Sequence, residues 1–300
     1  MQPTSVLSPS RRIVSTTVFA IVSDVHAGST VALCPPRIEL DDGGEYSASR
    51  AQLWLYQNWL TFWQQVKRVR DREKATLYQV FNGDLVDGDH HGTTQILSGN
   101  SAVQAHVVSE CMKVPLDLEP DKLWFIRGTE AHVGKSATSE EKIADGLRRD
   151  TFIDSHGHRS KRPIVRDKDT GTSSHWHAKM EVQGVRLDFA HHGRIGMRPW
   201  TKINITANLA AEIFYEHCAR EEPYPHIAVR SHFHTYVDTG MAHPVRVIQT
   251  PAWQLHTAFA HRVVTEKLAD IGGVIILIKD GVPSVEPVIY KPKGPTTWRG

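Results

Sequence analysis

Val80-Phe81-Asn82-Gly83-Asp84-Leu85-Val86-Asp87-Gly88-Asp89-His90-His91 is the run that decides how the chain is read. The apolar stretch from Thr76 to Phe81 has the length and content of a buried strand. It stops at Asn82-Gly83, and a carboxylate follows at once. A carboxylate held by a glycine turn just past a strand's carboxyl end sits where open α/β sheets bind ligands. Asp87 and Asp89 crowd the same turn, with His90 and His91 behind them. Several carboxylates share one loop cheaply only when water or a cation offsets their charge. Asp84 is therefore read as a carboxylate that bridges two metal ions.

Upstream, Thr17 to Ser23 is β-branched and nearly all apolar, like a central strand covered on both faces. Arg11-Arg12 before this run superficially resembles a signal peptide. The run is broken by Ser15, Thr16 and Thr17 and ends in Asp24-Val25-His26, so a strand is expected, behind a loose tail over residues 1–12. Ser47 to Arg72 predicts the longest helix, with Tyr56, Trp59, Leu60, Trp63 and Val66 as its apolar stripe. Downstream, a helix is predicted over Ser101 to Val114 and a strand over Asp121 to Ile126. Thr138-x-x-Glu141 reads as a capping box opening a helix toward Arg149. Alternating strands and helices imply α/β with parallel strands.

The pattern changes at Asp150. Residues 150–177 are polar and turn-rich, with Arg159, Lys161, Arg162, Arg166 and Lys168, and read as a solvated insertion. Beyond it come a hairpin-like pair around Gln183-Gly184, a helix over Thr201 to Cys218, and short strands at Ile227 to Val229 and Val245 to Thr250. A last pair, Gly273 to Lys279 and Ser284 to Tyr290, is joined by Asp280-Gly281, and Pro283 and Pro287 put it at a sheet edge.

A chain of 300 residues is enough for one large α/β domain, and 13–300 is read as one. A formal net charge of +2 neither favours nor excludes nucleic acid. Cys34, Cys111 and Cys218 are far apart and in no Cys-x-x-Cys pair, which suits a reducing, cytoplasmic compartment and argues against a disulfide framework or a Cys-based zinc site. No stretch reaches the roughly 18–20 apolar residues of a membrane span, so no membrane partner is expected.

The 18 histidines bunch at predicted strand ends. Asp24 and His26 follow the first strand, Asp84 the second, and Thr129, Glu130 and His132 the third. His191 and His192 follow a fourth, and His232 and His234 a fifth. Asp-x-His and His-x-His put both side chains on one side of an extended segment, because strand side chains alternate. Any one such strand end is common by chance; five in succession point to a metal site. Imidazole and carboxylate donors without thiolate suit manganese, iron, cobalt, nickel or zinc.

The order Asp24-x-His26, Gly83-Asp84-x-x-Asp87-Gly88, Gly128 with its polar followers, His191, and His232-x-His234 resembles the calcineurin-like metallophosphoesterase superfamily. The resemblance spans residues 17 to about 250. It implies a four-layer αββα sandwich, two mixed β-sheets face to face with helices outside. It also implies two divalent metal ions, one held by Asp24, His26 and His234, the other by His191 and His232, with Asp84 bridging. Which of His191 and His192 is the ligand is left open by the sequence. Where that superfamily has Gly-Asn-His, this chain has Gly128-Thr129-Glu130-Ala131-His132. Strict position puts Thr129 in the asparagine's place; chemistry favours Glu130 as ligand and His132 as proton donor. This run resembles those of phage and prophage products.

The implied activity is hydrolysis of phosphate esters, with a phosphodiester favoured. Two bridged ions acidify a shared water that attacks phosphorus in line, and His132 protonates the leaving oxygen. Arg194 is a candidate phosphate clamp. A DNA or RNA nuclease using the basic run at 159–168 is the alternative, and a non-catalytic scaffold on the same fold is the third reading.

Overall fold

The first strand, β1 (Thr16–Val22), is buried along its whole length. Val18, Ala20 and Val22 face one core, while Phe19 and Ile21 face another, as the two-residue period of a strand requires. The computed structural model describes residues 15–90, 92–196, 198–263 and 268–293. The tail expected over residues 1–12 and His91 of the opening run lie outside the described residues.

After β1 come a small ribbon, β2 (Arg37–Glu39) and β3 (Glu45–Ser47), then α1 (Arg50–Glu73), β4 (Thr76–Asn82), α2 (Ser101–Leu116) and β5 (Lys122–Ile126). A short α3 (Glu130–Val133) and α4 (Thr138–Arg149) lead to the hairpin β6 (Thr151–Ile153) and β7 (Arg159–Lys161). The second half holds β8 (His177–Val182), β9 (Val185–His192), α5 (Lys202–Ala219), β10 (Ile227–Ser231), β11 (Val237–Asp238) and β12 (Arg246–Gln249). A short α6 (Ala258–Val263) precedes the closing pair β13 (Ile271–Lys279) and β14 (Val282–Tyr290).

One sheet has the order β14-β13-β1-β4-β5 and the other β11-β12-β10-β9-β8. In the first, β1, β4 and β5 run parallel and β13 and β14 antiparallel. In the second, β9, β10 and β12 run parallel, with β8 and β11 antiparallel at the edges. Both sheets are therefore mixed, and β14, with its two prolines, is an edge strand. Phe19, Ile21, Val80, Trp124 and Ile276 of the first sheet meet Leu187, Phe189, Val229 and Ile248 of the second. Phe19 and Phe189 stack at 6.2 Å. Burying each such side chain contributes roughly 1.5–3 kcal/mol relative to exposure. The outer face of the first sheet is covered by α1, α2 and α4, and that of the second by α5. The result is the four-layer αββα sandwich, and the carboxyl ends of its parallel strands supply one rim.

Three local readings are corrected. Helix α1 starts at Arg50, not Ser47, because Ser49 and Gln52 form a reciprocal cap there. Its core face is Leu55, Trp59, Phe62, Trp63, Val66 and Val69, one position off the Tyr56 and Leu60 stripe, and the Trp59 indole N–H donates to the Cys111 carbonyl at 3.0 Å. The Thr138–Glu141 capping box does not form. The Glu141 carboxylate instead accepts from Ser173 N and Ser174 N at 2.9 and 2.8 Å, where that segment returns to the fold.

The segment 150–177 is also less free than its polarity suggests. Ile164 and His175 pair with Leu123 and Ile126, so the segment covers the open edge of β5. An edge left bare exposes unpaired backbone groups, which explains why a polar stretch is held there. Arg162 stacks on Phe152 at 3.7 Å and donates to the Leu116 carbonyl at 2.9 Å. Arg166 donates to the Gly171 carbonyl at 2.7 Å.

Candidate metal centre

Strands of both sheets end at the same place. Past β1, Asp24 N donates to the Gly83 carbonyl at 2.9 Å and His26 N to the Asp84 carbonyl at 3.0 Å, which zips the two turns together. Past β10, His232 N donates to Asp24 Oδ2 at 3.3 Å. Asp24, His26, Asp84, His232 and His234 all have left-handed backbones, with φ of 51°, 47°, 52°, 79° and 50°. This corrects the geometry read from Asp-x-His and His-x-His. Those pairs converge through turns that follow the strands, not through alternation along an extended segment. Two glycines make the close approach possible. A Cβ at Gly83 would lie 2.4 Å from His191 Nδ1, and one at Gly128 2.1 Å from Asp84 Oδ1.

The side chains form two adjoining clusters. Asp24, His26 and His234 offer ligand atoms within 4.8 Å of one another, and so do Asp84, His191 and His232. His26 Nε2 and His234 Nε2 are 3.1 Å apart, and His234 Nε2 is 3.4 Å from Asp24 Oδ1. His191 Nε2 is 3.0 Å from Asp84 Oδ2, which in turn is 4.0 Å from His26 Nε2. Asp84 thus stands between the clusters. Its other oxygen accepts from Thr129 N at 2.6 Å, and Thr129 Oγ1 lies 3.0 Å from His232 Nδ1. His191 is buried and His192 exposed. His132 packs edge-on against His26 at 4.4 Å and clusters with His26 and Asp84.

Glu130, read as the ligand in place of Thr129, is elsewhere. It is the first residue of α3, exposed, and in none of the ligand clusters among the described residues. The helix begins at that residue and turns its side chain outward, leaving Thr129 as the one that touches the cluster. Arg194 is exposed and pairs with Glu212 of α5.

No protein-family model matches the chain, and neither does any curated protein. Solved structures do. A conserved Streptococcus pneumoniae protein titled as a predicted phosphoesterase is 10% identical with a TM-score of 0.33, covering 90% of this chain and 88% of that one. Vacuolar protein sorting 29 of Cryptosporidium parvum is 7% identical with a TM-score of 0.42, covering 93% and 100%. A 5'-nucleotidase of Candida albicans is 9% identical with a TM-score of 0.34, covering 87% and 46%.

The donor set itself fits metal. His191 Nδ1 donates to the Asn82 carbonyl at 2.8 Å, so Nε2 is the ring nitrogen that faces the Asp84 carboxylate. Two acceptors 3.0 Å apart need a proton or a cation between them. His26 is arranged the same way, its Nδ1 held by Asp87 Oδ1 at 3.1 Å and its Nε2 aimed at His234. Asp24 Oδ1 and His191 Nε2 are both buried, with His234 Nε2 3.4 Å from the first and Asp84 Oδ2 3.0 Å from the second. Imidazole fixed through one nitrogen onto a carboxylate or carbonyl is how proteins orient metal ligands. The cysteines are remote: Cys34 and Cys111 lie in the core and Cys218 is exposed.

The electrostatics favour positive charge here. Burial disfavours the carboxylate of Asp24, yet the His234 hydrogen bond and the His191 and His234 charges hold it at about 2. Burial likewise opposes the His191 cation, and the Asp84 carboxylate outweighs it, raising the imidazole to about 10. Asp84 is held well below the usual range against its own burial, chiefly by His191. Burial, then the His191 charge, push His232 down to about 4.

Glu140 escaped the sequence reading. It is fully buried in the first turn of α4, accepting from Gly128 N at 3.2 Å and Leu85 N at 3.4 Å, so it pins the turns after β4 and β5 from behind. Burial, then the Asp84 charge, raise its carboxyl to about 8. A signal existed: Glu140 shares the i, i+3, i+4 face with Ile143 and Ala144, both buried.

Proposed function

We propose that the protein is a dinuclear metal-dependent hydrolase of phosphate esters, with the phosphodiester the favoured bond. What carries this reading is Asp84, a buried carboxylate with His191 Nε2 3.0 Å away and a second cluster of metal-ligating side chains on its other side. In this reading Asp24, His26 and His234 hold one ion, His191 and His232 hold the other, and Asp84 reaches both. A bound pair of divalent ions activates water and offsets charge building on the phosphoryl oxygens. Thr129 fixes Asp84 through its N–H and His232 through its hydroxyl, keeping the ligands aimed before any ion arrives. The donors suit manganese, iron, cobalt, nickel or zinc.

His132 is the proton donor. Its Nδ1–H is tied to the Asp87 carbonyl at 2.8 Å, so Nε2 is the atom that takes up a proton and delivers it to the departing oxygen. His132→Ala is expected to slow alkyl phosphate esters about 100-fold or more while nitrophenyl esters, whose leaving group needs no proton, lose little. Equal losses on both classes in steady-state assays would remove His132 from this role.

DNA or RNA as substrate is the alternative. Lys161 and Lys168 are exposed, but Arg162 and Arg166 are tied to backbone carbonyls, so the basic run offers less to a phosphate backbone than its sequence suggests. The deciding experiment strips the protein of metal and reloads it with each of the five metals. It is then assayed on bis-nitrophenyl phosphate, nitrophenyl phosphate, cyclic nucleotides and single-stranded DNA. Diester hydrolysis that vanishes on stripping and returns on reloading is expected. Bound metal with no hydrolysis of any substrate would leave a binding scaffold as the reading.

A further inference from the structure

We propose that Asp87, His90 and His132 form a third cation site, and that an ion held there silences His132. This rests on the phosphoesterase reading, since it concerns the residue assigned as proton donor. The three side chains offer ligand atoms within 4.8 Å of one another, a cluster distinct from the two that meet at Asp84. His90 and His132 pack edge to face with ring centroids 4.3 Å apart. Asp87 is buried, with Oδ1 held by His26 Nδ1 and by Gln254 Nε2 at 3.0 Å, so the carboxylate is fixed in place.

The site opens where the paired clusters do not. His90 and His132 are half-buried and line a cleft of about 820 Å³, together with Asp89, Glu130, Lys135 and Lys142. Asp89 and Glu130 are matched in the cleft lining by Lys135 and Lys142, so the charge an ion here would offset is that of the carboxylates crowding the turn after β4. Glu130 thereby finds a setting: it faces the cleft, not the paired clusters. One carboxylate and two imidazoles without thiolate suit the same first-row divalent ions. Partial exposure makes this cluster the weaker and faster-exchanging of the three.

The consequence for His132 is chemical. An imidazole can act as a general acid only when both nitrogens carry protons, and a metal bound to either nitrogen forbids that form. Filling this cluster therefore removes the acid without taking a side chain from the groups Asp24, His26, His234 and Asp84, His191, His232. Hydrolysis of an alkyl phosphodiester should rise with added manganese, then fall at higher concentration. Nitrophenyl ester hydrolysis should rise and stay level.

The test counts bound manganese by elemental analysis and titration calorimetry on the full chain and on His90→Ala, beside the two activity curves. A third, weaker equivalent in the wild type that is missing in His90→Ala, with the high-manganese inhibition missing too, is the expected result. Two equivalents and no third in the wild type would overturn this proposal and leave the phosphoesterase reading standing. So would a third equivalent that survives in His90→Ala. Fewer than two equivalents in the wild type would overturn both.

Discussion

On the proposed phosphoesterase reading, Asp84→Asn is expected to lower phosphodiester turnover by about three orders of magnitude or more, equivalent to ~4 kcal/mol of transition-state stabilisation. Asparagine keeps the shape of the side chain and an oxygen able to accept the Thr129 N–H, so the turn it sits in should still form. What it loses is the charge that faces His191 at 3.0 Å and His26 at 4.0 Å. Without that charge neither ligand cluster has its shared anion, and metal content should fall along with turnover. Steady-state kinetics on bis-nitrophenyl phosphate and metal analysis of the same preparation check both parts. Undiminished turnover with a full metal complement would take Asp84 out of the bridging position.

The second large effect is on stability. Asp188 of β9 is 1% exposed, with Oδ1 2.7 Å from Arg230 Nη1 and Oδ2 2.7 Å from His177 Nε2. The Arg230 contact is charge against charge, because Nη1 directs its hydrogen bonds to the Val229 and Asp188 carbonyls. Arg230 is itself 6% exposed. Asp188→Asn strands a buried guanidinium, and breaking a buried pair in this way costs about 3–5 kcal/mol. Burial pushes the Asp188 carboxyl up, but the His177 hydrogen bond and the Arg230 charge outweigh it and hold it at about 2. A carboxyl depressed from its ordinary 3.8 contributes stability that is present above that value and lost as pH falls toward 2. Across this window the wild type should lose about 2 kcal/mol more than Asp188→Asn, since the other depressed carboxyls titrate in both proteins. Urea denaturation at neutral pH and between pH 4 and 2 measures both. A neutral-pH loss below about 1 kcal/mol, the range of exposed pairs, would contradict the buried-pair argument.

The architecture was legible because β1 and β4 are nearly uninterrupted apolar runs that stop abruptly at polar turns, and such signals survive without any partner in view. The residues at those stops were legible for the same reason. What they could not reveal was backbone conformation: Asp24-Val25-His26 reads as extended, and only its pairing with the Gly83 turn forces it left-handed. Glu130 suits metal by its chemistry, while its position, first in a helix, sets it apart from the clusters among the described residues. Glu140 was hidden by a capping motif one residue off, whose glutamate serves the 173–174 segment instead. The stripe of α1 was rotated because Leu55 and Phe62 are no more apolar in sequence than Leu60; only the position of the Cys111 carbonyl and the rest of the core chose between them.

The five left-handed residues at the rim carry a further consequence. L-amino acids disfavour that conformation by roughly 1–2 kcal/mol each, and glycine does not. At Asp24, His26, Asp84, His232 and His234, then, backbone strain taken alone favours a residue with no side-chain donor atom, against the buried contacts those side chains make. Selection for heat resistance alone would relieve that strain where no buried partner is lost, and would remove candidate ligands there one at a time.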